Sequence, residues 1–190
     1  MLNRQKKEYN EMLAKYAVKK EFVKIYRKIF DIDNDLSGFI LKITNKYLLI
    51  QIVDDFMFDG YAIIRLDDFD SIRSNSYDKT HKKVLKSEGT LDANHGLEIN
   101  INLNSWKDIL SDLRKNDFHV IIESNKEDRL DFLIGPIKRI SKDSVSIQYY
   151  DPTGKLEIKP TSIKMKDIRI IKFGDRYSST FRKYLKPPTK

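Results

Sequence analysis

The sequence predicts a mainly β protein with flanking helices, of the α+β class. It is expected to be two tandem copies of a small five-stranded barrel, each preceded and followed by a helix. Three observations carry that expectation. "SYDKTHKKVLK" at 76–86 returns as "RYSSTFRKYLK" at 176–186. "SGFILKITNKYLLIQIVDD" at 37–55 returns without a gap as "IGPIKRISKDSVSIQYYDP" at 134–152. Apolar spacing also switches between helical and strand periods at matching places in the two halves, and self-similarity at a fixed offset marks a duplicated unit.

The elements follow in order. Tyr9, Met12, Leu13 and Tyr16 stand at i, i+3, i+4 and i+7, the stripe of an amphipathic helix. Trp106, Ile109, Leu110 and Leu113 repeat it 97 residues later, and Ser105 followed by Asp108 supplies a helix start. Apolar strands come next, "EFVKIYRKIF" and "FHVIIES", with Phe22 aligned to Phe118 one residue out of step. In the gapless stretch Gly38 matches Gly135, Ile40 Ile137, Ile50 Ile147, Gln51 Gln148 and Asp54 Asp151. Polar turns around Asn45 and Lys46, or Lys142 and Asp143, make each stretch a hairpin. Alternation sets Val145, Ile147 and Tyr149 on one face and Ser146, Gln148 and Tyr150 on the other.

"DPTG" at 151–154 is a turn signature. Asp68 and Asp167 precede the last strand of each half, and Tyr77, Thr80, Lys83, Leu85 and Lys86 recur as Tyr177, Thr180, Lys183, Leu185 and Lys186 in the closing helix. "KSEGTLDANHGLE" at 86–98, rich in small polar residues, reads as a linker, giving copies over 1–91 and 92–190.

Strand, "GxIxxI", polar turn, strand, Gly turn and "IxLxDIxxI" together resemble the SH3-like small barrels. The leading helix makes each half similar to the Sm-like (Hfq-like) group. The match lies in Gly38 and Gly135 and in Asp68 and Asp167, over roughly residues 5–74 and 104–173. Where that group places its RNA-reading Asp and Asn, this chain has "TNKYLL" and "SKDSVS", and the group's closing Arg-Gly is absent. The resemblance therefore implies the barrel and not the RNA site.

At 190 residues, 40% hydrophobic and 34% charged, the chain has the material for one or two packed cores. It has no cysteine, which removes disulfides and thiolate chemistry. "MLNRQKKEYNEMLAKY" is charged from Arg4 on and offers no apolar h-region, so a cytoplasmic protein without membrane association is expected. Charge is segregated. Residues 1–30 hold nine Lys and Arg against three acids, 31–70 hold three against nine, and 161–190 hold nine against two.

Catalytic signatures are missing. His81, His95 and His119 fall on separate elements without metal-ligand spacing, and no phosphate loop or nucleophile elbow is present. Asp31, Asp33 and Asp35 have the alternate spacing of a calcium loop, but Leu36 and Lys42 stand where Gly and Glu are needed, so the segment reads as an acidic turn. Asp54, Asp55, Asp59, Asp67, Asp68 and Asp70 suit strand ends and turns.

The expectation is a non-enzymatic intracellular binding or scaffold module, with a protein partner or self-association. No catalytic residue, cofactor, metal or small-molecule substrate is expected. The alternative is RNA or single-stranded nucleic acid held by the basic C-terminal half: Lys138, Arg139, Lys164, Lys166, Arg169, Lys172, Arg176, Arg182 and Lys183, with Tyr149, Tyr150 and Tyr177 to stack on bases.

Overall fold

The computed structural model describes the backbone of residues 2–29, 32–126 and 129–187, and the side chains of 9–27, 35–125 and 131–187. The chain divides into two compact units, Met1–Ile99 and Asn100–Lys190. No helix among the described residues is long and apolar enough to cross a membrane.

The first unit runs α1 (Leu2–Val18), β1 (Phe22–Ile29), β2 (Ile32–Ile43), β3 (Tyr47–Asp54), β4 (Met57–Arg65), β5 (Phe69–Arg73), α2 (Ser76–Ser87) and α3 (Thr90–Asn94). The second runs α4 (Trp106–Lys115), β6 (His119–Lys126), β7 (Arg129–Ile140), β8 (Ser144–Ile147), β9 (Thr161–Lys164), β10 (Ile168–Phe173) and α5 (Arg176–Phe181). A 3-10 turn separates the last two strands of each unit, Leu66–Asp68 and Met165–Asp167.

All described pairings between the named strands within the units are antiparallel, in the order β5-β1-β2-β3-β4 and β10-β6-β7-β8-β9. Neither run returns on itself, because no described pairing joins β4 to β5 or β9 to β10. The result is open antiparallel sheet, which corrects the two closed barrels expected from the sequence. Hairpin periodicity fixes which neighbours pair. Closure depends on tilt and stagger summed over every strand, which no local pattern encodes.

The duplication is visible in the register. Val23 pairs with Gly38, and 97 residues on Val120 pairs with Gly135. Both glycines have φ +154, and a Cβ on either would fall inside the carbonyl oxygen of Gln51 or Gln148. Gly is the residue that lets the hairpin backbones approach this closely. The same register places Phe22 opposite Phe39 and His119 opposite Pro136. His119, rather than Phe118, is thus the counterpart of Phe22.

The acidic segment expected as a turn is strand instead. Asp33 and Asp35 lie in β2 opposite Lys28 and Tyr26 of β1, and Lys24 pairs with the Asp35 carboxylate. Opposite charges on facing strands favour this register over a turn. Asp31 lies outside the described residues.

The expected cap on α4 is present, with Ser105 accepting from the Asp108 amide at 3.1 Å. The structure adds a capping box on α2, made by Asn75 and Asp78. Asp78 also receives a two-pronged bond from Arg73 at 3.0 and 2.9 Å. Burial alone would raise this carboxyl, but the Arg73 and Asn75 hydrogen bonds hold it below its usual range.

The expected linker is partly structural. Leu91 of α3 is buried with Phe22, Phe39, Val53 and Leu85 in the first core. Gln51 bonds the Asn94 carbonyl at 2.7 Å and the Gly96 amide at 2.9 Å. These ties carry the first unit to Ile99, past the expected boundary at 91/92.

Candidate binding surfaces of the second unit

The second unit carries the cations predicted from the sequence, and their neighbours sort them into groups. Arg139 pairs across β8 with Ser146, which pairs with Ser162 of β9, while Ser144 pairs with Lys164. Cross-strand partners share a face. The solvent side of the β7-β8-β9 ladder therefore shows Arg139, Lys164 and three small hydroxyls, while Val145, Ile147 and Ile163 are buried beneath it. Lys166 is exposed on the 3-10 turn. Lys138 lies apart, in a groove of about 310 Å³ with Arg114, Asp117 and Phe118.

Acidic partners are identified for Lys172 and Arg182. Lys172 binds Glu123 at 2.7 Å, and Arg182 binds both the carbonyl, at 2.8 Å, and the carboxylate of Asp117. Arg169 sits half-buried at a bulge in β10. Tyr150 is 1% exposed, which removes it as a stacking platform. It is buried because strand β8 ends at Ile147, so the alternation that would have buried Tyr149 breaks there.

The expected DPTG turn follows. The Gly154 amide donates to the Asp151 carbonyl at 2.9 Å, and Tyr150 bridges Leu156. The tail then returns to this hairpin, where Lys186 donates to the Gly154 carbonyl at 2.8 Å and bridges Lys155 in parallel. A Cβ on Gly154, at φ +79, would press on the Tyr184 carbonyl at 3.0 Å. This zipper brings Lys155 and Lys186 together. Tyr177, 48% exposed, stacks on Phe181 at 4.6 Å, and Tyr184 is 69% exposed. Arg176 and Lys183 are exposed on the same helical segment.

Under α5 lies a buried polar group. His119 and Tyr150 approach at 5.8 Å between ring centroids, and Tyr150 stacks on Phe181 at 5.9 Å. His119 Nδ1 and the Tyr150 hydroxyl are buried without hydrogen-bond partners. Burial, then the Arg182 charge, pushes His119 down to about 4, and burial raises the Tyr150 phenol. Phe22 and Val53 fill the corresponding places of the first unit. There the imidazole comes from the helix, with His81 stacked between Phe22 at 4.6 Å and Phe56 at 4.1 Å.

A cleft of about 380 Å³ lies between β9 and the β6-β7 hairpin, lined by Ser124, Asn125, Asp131, Ser162, Lys164 and Asp167 among others. Most of these residues were not singled out in the sequence. The signal was the exchange of Arg27 for Ser124 at the common offset, which aligning Phe22 with Phe118 concealed. Among the described residues, no three His, Cys, Asp or Glu side chains converge as a metal site requires. No family model, curated protein or solved structure matches the chain.

Proposed function

We propose that the chain is an intracellular, non-catalytic binding protein whose second unit holds the surface for a protein partner. One observation carries this reading: two copies of the same backbone have diverged in opposite directions. The first fills its positions with Phe22, Val53 and Arg27, all buried. The second places His119, Tyr150 and Ser124 there and has a polar cleft beside β9, the last strand in its order. Strand β9 is short and bears Lys164, features that restrain edge-to-edge aggregation while leaving backbone for a specific partner. The absence of cysteine is consistent with a reducing compartment.

Affinity capture with the full chain is expected to retain a partner that the Arg139→Glu variant loses. The denaturation transition of the variant should be unchanged, because this side chain is exposed. Identical captured proteins from both baits would defeat the reading.

A second reading is single-stranded nucleic acid on the C-terminal strip, favoured by exposed Tyr177 and Tyr184 rings interleaved with Arg176, Lys183 and the Lys155–Lys186 pair. Fluorescence anisotropy with mixed single-stranded oligomers is expected to show binding that weakens steeply with salt. Arg176→Glu/Lys183→Glu should remove it. Lys183 is the better choice than Arg182, which is engaged by Asp117. Silence at low salt would eliminate this alternative.

A further inference from the structure

Arg27 and Ser124 occupy the same place in the two copies. Arg27 pairs with Asn34 of β2 and Phe69 of β5, and Ser124 pairs with Asp131 of β7 and Ile168 of β10. Each follows two buried residues at alternate spacing, Val23 and Ile25 or Val120 and Ile122, so each faces the inside of its sheet. Arg27 is 3% exposed, which means the first unit packs an entire guanidinium side chain at this position. Ser124 is 7% exposed and far smaller, and the cleft opens against it.

The lining is rich in acceptors. Asp131 and Asp167 supply carboxylates, and Asn125 supplies a buried side-chain oxygen without a hydrogen-bond partner. The Ser124 hydroxyl adds a small polar group that can both donate and accept. Among the described lining residues the carboxylates of Asp131 and Asp167 outnumber the one cation, Lys164. A ligand matching this set carries positive charge and several donors in a plane, which describes a guanidinium better than a point-like ammonium.

We infer that the cleft receives the arginine side chain of a protein partner. The second unit takes from outside the group that the first unit supplies from Arg27. This rests on the protein-binding reading above and names the chemistry of that partner.

The test is an amide-resonance titration of the full chain with Nα-acetyl-arginine amide, with the lysine analogue as control. Saturable shifts are expected at Ser124, Asn125, Asp131 and Ser162. Asp131→Asn should weaken binding about tenfold by removing a charge-assisted bond, and Ser124→Arg should abolish it by filling the cleft. Both variants import the residue the first copy already carries at that place, so the backbone accommodates them. Unmoved resonances, an equal response to the lysine analogue, or unchanged binding in Ser124→Arg would each overturn the inference. If the probe fails while partner capture on the β7-β8-β9 ladder persists, the arginine site falls and the protein-binding reading stands. If capture fails while the probe binds, the protein-binding reading falls and takes the partner's arginine with it, leaving only a cleft that accepts a guanidinium.

Discussion

Acidification from pH 6.5 to about 4 is expected to cost the second unit about 3 kcal/mol through His119 alone. The unfolded imidazole takes up its proton near 6.5, whereas the folded one resists until about 4. The unfolded state therefore binds more protons throughout that window. Stability is fully present above 6.5 and is lost as pH falls towards the folded value.

The cause is the surroundings of the ring. His119 is buried against Tyr150, and the cations Arg182 and Lys138 oppose its charging more than Asp117 and Asp175 assist it. Trp106, the single tryptophan, is buried in α4 of the second unit, so its fluorescence in a denaturant titration reads this transition. His119→Phe, the residue of the first copy, should flatten the pH dependence of that signal. An unchanged slope in the variant would show that other groups set the acid response. His81 and His95 are also lowered by burial, but they belong to the first unit, where Trp106 does not report.

Gly135→Ala is expected to destabilise the second unit by roughly 3 kcal/mol, and Gly38→Ala the first by a similar amount. Two costs combine: a backbone conformation that L residues rarely adopt, and a methyl group driven into the Gln148 or Gln51 carbonyl. The obstacle is backbone rather than a side-chain tip, so relief requires separating paired strands. The Trp106 midpoint should fall sharply for Gly135→Ala and stay put for Gly38→Ala, whose loss should appear in far-UV dichroism. A midpoint unaffected by Gly135→Ala would mean that the hairpin can relax around a Cβ.

Much of this was legible in the sequence. Gly38 and Gly135 share an offset because both copies need the same close approach. Ser105 and the DPTG turn were readable because caps and turns are settled within four residues. What escaped depends on distant parts of the chain. Closure of a sheet is decided by its end strands together, so the open order could not be read from five good strand patterns. Segment 86–98 looked like linker by composition, yet one apolar side chain, Leu91, and the buried amide of Gln51 anchor it. The candidate cleft was hidden by a one-residue slip. Likeness of side chain aligns Phe22 with Phe118, whereas backbone pairing aligns it with His119 and so brings Arg27 against Ser124.

Two units with the same strand order on one chain invite exchange of strands between them during folding. The register of the outer pairings argues against it. If β6 took the place of β1 beside β2, Glu123 would stand where Tyr26 does, facing Asp35. If β1 took the place of β6 beside β10, Lys24 would stand where Ile121 does, facing Lys172. Each swap sets like charges opposite one another, while the native arrangement joins Lys24 to Asp35 and Lys172 to Glu123. The charges that diverged after duplication thus act as an address, directing each strand to its own half of the chain.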